Sequence, residues 1–340
     1  MRKLLIFIVG AIGLFGCEET PEFPDYKYTS VYFPLQTPMR TLILGEYSSD
    51  NSLDNKLQFN MGVAIGGLRE NKQDEWVKFE IKESLVDGFV FSDGSVLEVL
   101  PKKYYTTSPT SGEMLTIPQG SMEGKILVSL TQEFLSDPNA WKNRYVIPLV
   151  ITEKSIGIDT VLQGKPATAD PNLLVGANWS VSPKNYTVFG IKFVNEYHGN
   201  YLHYGVDYTL DATGNRLTSP APVKYSTYFV EQNQVWKLST AGINALETSG
   251  VASSTSARMK LTFNTDNTVS IAQVSGTKVV DSTNSTGKFV KKGGKWGGNN
   301  YDALFLKYKY TESNLVHEVI DTLVFRDKGI VFETFNVKQK

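Results

Sequence analysis

The amino-acid sequence predicts an all-β protein in which a β-sandwich precedes an antiparallel β-barrel. Thr, Ser, Val, Tyr and Phe are plentiful and long stretches with helical periodicity are scarce, a balance that favours strands. Many short runs alternate apolar and polar residues, as strands do when one face packs on a core and the other meets water. Turn-forming residues separate these runs, and the chain is long enough for two domains.

Residues 1–16 have the pattern of a cleaved leader. Arg2 and Lys3 precede a 13-residue apolar run, which is too short to span a bilayer of roughly 30 Å as a helix. The run ends in "LFGC", which resembles a bacterial lipobox, and the resemblance implies cleavage before Cys17 and lipidation of that residue. Cys17 is the only cysteine, so the mature chain can form neither an internal disulfide nor a cysteine-based metal site.

Residues 17–27 are expected to form a tether. Glu18 and Glu19 follow Cys17 directly and resemble the surface-export signal of Bacteroidota lipoproteins; alternatively they only solvate the tether, which would leave the periplasmic face open. Two prolines in "PEFPDY" predict a stiff, extended spacer. We expect a lipid-anchored protein of the outer membrane that faces the cell exterior.

The charge balance excludes nucleic acid as a partner. Without Arg2 and Lys3 the chain has 32 basic and 35 acidic residues, a net charge of −3. No cluster or stripe of basic residues stands out.

Residues 28–153 are predicted to form the sandwich. Val77, Phe79 and Ile81 alternate with charged residues, and six or seven comparable runs occur within this part of the chain. The phrases "VYFPLQTP", "LDNKLQFNMGVAIGG", "LTIPQGSMEGKILVSL" and "YVIPLVITE" resemble the Ig-like N-terminal domain of unknown function found on Bacteroidota surface lipoproteins, also ahead of glycosidase domains. That family provides no catalytic residues to transfer.

Residues 154–177 are predicted to be a linker, and residues 178–340 the barrel. About nine strand-like runs follow one another here, starting with "YTVFGIKFV", and up-and-down pairing would close them into a barrel without exposed edges. "FGIKFVNEYHGNYLHYG", "WGGNNYDALFLKYKY" and "DTLVFRD" resemble the lipocalin-like C-terminal barrels of accessory lipoproteins from Bacteroidota polysaccharide-utilisation loci. The resemblance implies architecture and location rather than a ligand.

The stretch "YHGNYLHYG", residues 197–205, contains two of the three histidines but predicts no catalytic site. Placing a strand from Tyr201 puts Leu202 and Tyr204 on the core face and Tyr201 and His203 on the outer face. His203 and Asp207 would then lie about 13 Å apart, too far for a hydrogen bond. The spacing of the histidines fits no metal site, and His317 is expected to be structural.

No other catalytic pattern stands out. Acidic residues that could serve glycoside hydrolysis are present, but the sequence pairs none of them. G-x-S-x-G and G-x-G-x-x-G motifs are absent. We therefore expect neither an enzyme nor a metal or cofactor.

Exposed aromatic residues beside polar ones are the candidates for binding a sugar, because sugars present apolar C–H faces ringed by hydroxyls. Trp296 is the first candidate, since "KKGGKWGGNNYD" reads as a glycine-rich loop that offers an indole little core to join. The full candidate set is Trp296, Asn299, Asn300, Asp302, Tyr197, Tyr201 and His203. Alternatively, Trp296 plugs the barrel end.

These observations favour a non-catalytic surface lipoprotein that binds a polysaccharide or oligosaccharide as an accessory of a glycan importer. Its partners would be the glycan, the outer membrane through its lipid anchor, and proteins of the importer complex. The alternatives are a structural or assembly subunit without sugar affinity and a cryptic glycosidase.

Overall fold

The structure, a computed structural model, describes residues 25–340 and confirms the predicted all-β fold of a sandwich and an antiparallel barrel. The predicted signal peptide, Cys17 and most of the tether lie outside the described residues. None of the helices within residues 25–340 has the length and apolar character needed to cross a bilayer.

Two sheets face each other in the sandwich. The first has the order β11-β1-β3-β9-β7 and consists of β1 (Ser30–Tyr32), β3 (Gln58–Gly66), β7 (Tyr105–Ser108), β9 (Glu123–Leu130) and β11 (Thr160–Val161). The second has the order β24-β2-β14-β10-β4-β8, with β6 added beside β10. It consists of β2 (Pro38–Ile43), β4 (Glu75–Ile81), β6 (Glu98–Val99), β8 (Met114–Ile117), β10 (Tyr145–Lys154), β14 (Tyr186–Val194) and β24 (Glu333–Thr334).

The second sheet is covered on both faces. Phe79, Ile147 and Phe193 pack into the main core between the sheets. Val146 and Val188 point the other way, into a smaller apolar cluster that includes Phe335, from near the C-terminus. Burial on both faces explains why "YTVFGIKFV" is almost continuously apolar rather than alternating.

Short elements complete the sandwich region. The pair β5 (Phe89–Phe91) and β25 (Val337–Gln339) and the pair β12 (Lys165–Pro166) and β13 (Trp179–Val181) form two small sheets. The α-helices are α1 (Ser52–Asn55) and α2 (Gln132–Ser136), and 3-10 turns span Glu83–Val86, Lys102–Tyr104 and Gly176–Asn178. A further 3-10 turn, Val230–Gln232, lies in the barrel part of the chain.

The barrel is an antiparallel sheet of nine strands, eight of which close on themselves through the pairing of β15 with β23. Its strands are β15 (Gly199–Thr209), β16 (Val223–Tyr225), β17 (Gln234–Gly242), β18 (Ala245–Thr248), β19 (Ala257–Phe263), β20 (Thr268–Gly276), β21 (Val279–Trp296), β22 (Asn299–Glu312) and β23 (Leu315–Asp327). β16 pairs with β15 outside the closed ring.

The barrel sheet begins at Gly199, not at residue 178 as the sequence predicts. β14 belongs to the sandwich, where it pairs antiparallel with β10 and parallel with β2. The predicted linker also contributes β11, which pairs with β1. After the barrel the chain returns to the sandwich, where β24 pairs with β2 and β25 with β5. We predicted β14 to be a barrel strand because it directly precedes the barrel strands in the sequence. Its strand partners β10 and β2 are distant in sequence, so they could not be recognised there.

Candidate functional site

A cleft of about 410 Å³ lies at the end of the barrel nearest the sandwich. Glu46, from the loop after β2, reaches it from the sandwich, and β15, β21, β22 and β23 border it from the barrel. Its aromatic lining is Tyr197, Tyr201, Phe289, Tyr301 and Phe325. Its polar lining is Glu46, Glu196, Asn267, Lys291, Lys292, Asn300, Asp302 and Lys328.

Packing against neighbouring rings fixes the aromatic lining. The Tyr197 ring stacks on Phe263 with 3.7 Å between centroids and meets Phe289 edge-on at 5.1 Å. The Tyr201 hydroxyl donates to the Tyr197 carbonyl at 2.6 Å, and its ring meets Phe325 edge-on at 5.5 Å. Burial raises the pKa of Tyr197 to about 12, so this phenol stays protonated near neutral pH. The rings therefore form a preorganised apolar surface.

An irregularity in β21 presents two lysines to the cleft. The register between β21 and β22 shifts between Val290 and Gly294, and Lys292 adopts a φ of 54°. The Lys292 N–H donates to Asp302 Oδ1 at 2.8 Å, which secures this bulge. The Lys291 ammonium lies 2.8 Å from Glu46 Oε1 of the sandwich, so an exposed ion pair bridges the two domains.

Four of the predicted ligand residues, Tyr197, Tyr201, Asn300 and Asp302, border the cleft. Trp296 and Asn299 do not line it: the predicted loop is a hairpin in which Gly297 and Gly298, both with positive φ, turn β21 into β22. Trp296 instead stacks behind a lining residue. Its ring lies 4.6 Å from that of Tyr301, and its Nε1–H donates to the Phe325 carbonyl at 3.0 Å.

His203 is not at the surface, and the strand phase predicted for β15 is wrong. Tyr201 and His203 are each only 1% exposed and Asp207 is 8% exposed, because this polar set faces the barrel interior. Tyr204, predicted to be in the core, is only half-buried. Tyr201 still borders the cleft from the barrel interior, but His203 is not among the lining residues.

Asp321 organises one half of the polar barrel interior. Its carboxylate accepts hydrogen bonds from Tyr308, at 2.7 Å, and from Tyr225. His203 Nε2 lies 3.1 Å from Asp321 Oδ1, outside hydrogen-bond alignment, and neither ring nitrogen has a hydrogen-bond partner among the described residues. The His203 ring stacks on Trp236 at 3.7 Å. Burial, and next the Asp321 charge, raise the pKa of Tyr308 and Tyr225, which keeps both phenols as donors.

Asp207 organises the other half. It accepts a hydrogen bond from Tyr310 and lies 2.9 Å from His317 Nδ1, while the His317 ring stacks on Tyr310 at 4.5 Å. Lys278 donates to the Tyr310 hydroxyl at 3.0 Å and pairs with Glu312 at 2.6 Å. The side chains around Asp207 thus bond to one another, as expected of a hydrogen-bond network with a structural role. No group of three or more His, Cys, Asp or Glu side chains in residues 25–340 is arranged to hold a metal ion.

The sequence analysis did not predict several of the cleft residues. Lys328 directly follows the last barrel strand, and Glu46 comes from another domain, so spacing could not associate them. "KKGG" did carry a signal, because two glycines after a charged pair inside a strand are typical of a bulge. A second cavity, of about 230 Å³, lies in the sandwich beside Phe33 and Phe189 and is mostly apolar, so it offers few groups to orient a sugar.

Comparison with known proteins identifies relatives but no activity. A family model described as a domain of unknown function (DUF5627) matches residues 196–329, and a model described only as an N-terminal domain matches residues 26–158. A crystal structure of a Bacteroides ovatus protein of unknown function is 32% identical, with a TM-score of 0.80, over 93% of this chain and 100% of that one.

Other solved structures from Bacteroides ovatus are more distant. A protein of unknown function is 13% identical over 88% of this chain and 94% of that chain, with a TM-score of 0.44. A multidomain protein including DUF1735 is 12% identical over 89% of this chain and 97% of that chain, with a TM-score of 0.39. No curated protein matches the chain.

Proposed function

We propose that this chain, which belongs to the same family as the Bacteroides ovatus protein of unknown function, is a non-catalytic accessory protein that binds glycans in the cleft. The observation that carries the proposal is the composition of the cleft: fixed aromatic rings beside amides, carboxylates and ammonium groups, in about 410 Å³. Rings match the C–H faces of a sugar, and the polar groups match its hydroxyls.

The proposed location rests on the sequence. The lipobox-like "LFGC" and the acidic residues after Cys17 support a lipid-anchored protein on the outer face of the outer membrane. A Bacteroides relative is consistent with a Bacteroidota accessory protein. In this setting the barrel would hold a polysaccharide near an importer, and the sandwich would act as a spacer or a partner contact.

Affinity electrophoresis on a panel of neutral and acidic polysaccharides tests binding. We expect retardation on at least one glycan, and we expect Tyr301→Ala to weaken it roughly tenfold, about 1.4 kcal/mol, because a stacking ring is lost. Trp296→Ala should weaken it less, because Trp296 acts by supporting Tyr301. Tyr228→Ala is the matched control, since Tyr228 is 92% exposed and outside the cleft.

Two results would contradict the proposal. A correctly folded protein that no glycan retards would favour a structural or assembly subunit of an importer complex. Equal binding by Tyr301→Ala and the unchanged protein would place any sugar elsewhere.

A glycosidase is the second candidate, because Glu46, Glu196 and Asp302 all line the cleft and hydrolysis uses a pair of carboxylates. Release of reducing sugar from the same glycans, lost in Asp302→Asn, would establish that activity. Glu46 is engaged by Lys291 and Asp302 by the Lys292 N–H, which favours binding over catalysis.

A further inference from the structure

Lys328 is the buried cation of the cleft. It follows β23 directly and is only 7% exposed, yet it lines the cavity. Its Nζ donates to the Glu196 carbonyl at 2.5 Å and lies 5.8 Å from the centre of the Phe325 ring. An ammonium has three N–H donors, and this carbonyl is its one hydrogen-bond acceptor within residues 25–340. Two donors therefore remain for a ligand.

The other charges of the cleft leave Lys328 incompletely compensated. Glu46 is engaged by Lys291, and both side chains of this pair are mostly exposed, at 84% and 60%. Glu196 is exposed and Asp302 half-exposed, so water screens both carboxylates. The ammonium of Lys292 has no ion pair among the described residues. The cleft thus combines screened carboxylates at its rim with a desolvated cation in its wall.

The pKa of Lys328 agrees with this geometry. Burial lowers the pKa of Lys328 to about 8, although Glu196 and Asp302 act in the opposite direction. The two carboxylates therefore do not offset the loss of water. An anionic group of a ligand would offset this loss. Because charges interact more strongly away from water, its contact with Lys328 would contribute more than contacts with the exposed charges at the rim.

We infer that Lys328 makes the cleft selective for an anionic glycan, whose sugar carboxylate it receives beside the Phe325 ring. The inference rests on the proposed glycan binding and adds the class of ligand. A uronic acid presents a carboxylate at the edge of a ring whose C–H face is apolar, and the lining offers both a ring and a cation for it.

Affinity electrophoresis with defined polymers tests the inference. The probes are polygalacturonate and alginate as carboxylate polymers, fully methyl-esterified polygalacturonate as the neutral match, carrageenan as a sulfated polymer, and neutral laminarin and xylan. At pH 7 we expect a carboxylate polymer to bind at least tenfold more tightly than every neutral polymer and more tightly than carrageenan. Lys328→Met should abolish this preference, while Lys288→Met, which removes an exposed ammonium of β21 that does not line the cleft, should keep it.

The pH dependence separates a specific contact from a loss of structure. Affinity for the carboxylate polymer should fall about tenfold between pH 7 and pH 9, because the Lys328 ammonium is lost as pH rises through its pKa of about 8. Lys328→Arg should bind without this decline, because a guanidinium stays charged. Thermal unfolding of each variant shows that it folds.

The outcomes are distinguishable. Neutral polymers bound as tightly as acidic ones, or a preference that survives Lys328→Met, would refute the inference and leave glycan binding intact. Preferred binding of carrageenan would replace the carboxylate by a sulfate and refute the stated ligand class. No retardation on any polymer would refute glycan binding itself, and the inference with it.

Discussion

Replacing Tyr308 by phenylalanine should destabilise the barrel more than any ordinary loss of a hydroxyl. The Tyr308 hydroxyl is buried, donates to Asp321 Oδ2 at 2.7 Å and accepts the Ala252 N–H at 2.7 Å. Phenylalanine fills the same space but leaves the buried Ala252 N–H without a partner, at a cost of about 1–3 kcal/mol. It also removes one donor from Asp321, and hydrogen bonds to charged groups contribute about 1.5–3 kcal/mol.

Together these terms predict a loss of about 2.5–6 kcal/mol in the free energy of unfolding. For a domain of this size the unfolding midpoint should fall by roughly 10 °C. Because two domains need not unfold together, hydrogen exchange of barrel peptides should accompany the thermal scan, and protection should fall in barrel peptides before sandwich peptides.

Tyr201→Phe is the matched control. Tyr201 is equally buried, but within residues 25–340 its hydroxyl makes a single hydrogen bond, to the Tyr197 carbonyl, so its loss should cost about 1 kcal/mol. If Tyr308→Phe proves no more destabilising than Tyr201→Phe, the Asp321 network contributes no net stability and the reasoning is wrong.

Two further predictions concern Gly205, within β15, and His198, directly before it. Gly205→Ala should lower the free energy of unfolding by about 3 kcal/mol or prevent folding, because the added Cβ would lie 2.4 Å from the Ile320 carbonyl oxygen. Gly176→Ala is the control: no neighbouring atom lies within contact distance of the added Cβ, so the thermal midpoint should stay unchanged. The free energy of unfolding should also fall as pH drops from 6.5 towards 4. Burial, and next the charge of Lys237, lower the pKa of His198 to about 4 in the folded chain. In this pH range the unfolded chain therefore binds a proton that the folded chain does not. The full loss is about 3 kcal/mol, and denaturation titrations of His198→Gln should show a shallower decline; an identical decline would mean that other groups cause it.

The fold class could be predicted because period-two alternation and turns are local properties. The strand phase of β15 could not, because the prediction assumed an apolar core. In this barrel Asp207 and Asp321 lie inside, where tyrosine hydroxyls from other strands satisfy them. No residue near His203 in the sequence indicates that Asp321, on β23, will lie 3.1 Å from its ring.

The site was predictable only in part, for a related reason. Asn300 and Asp302 are close together in the sequence, as are Tyr197 and Tyr201, so local patterns could single them out, and all four line the cleft. Lys328 and Glu46 reach the cleft through long-range topology, which spacing along the chain does not encode. The glycines beside Trp296 led us to predict a loop, whereas the structure uses Gly297 and Gly298 as the two-residue turn of a hairpin.

The return of the chain to the sandwich after β23 makes the barrel an insertion rather than an appended module. It is joined to its host at two points, between β14 and β15 and between β23 and β24, and the flanking strands β14 and β24 both pair with β2. A double attachment restricts rotation of the barrel far more than a single linker would. Truncation at the junction between β14 and β15 would also leave the sandwich without β24 and β25. Dissection of the two domains should therefore excise residues 196–331 and rejoin the ends, because the sandwich is complete only when both flanks are present.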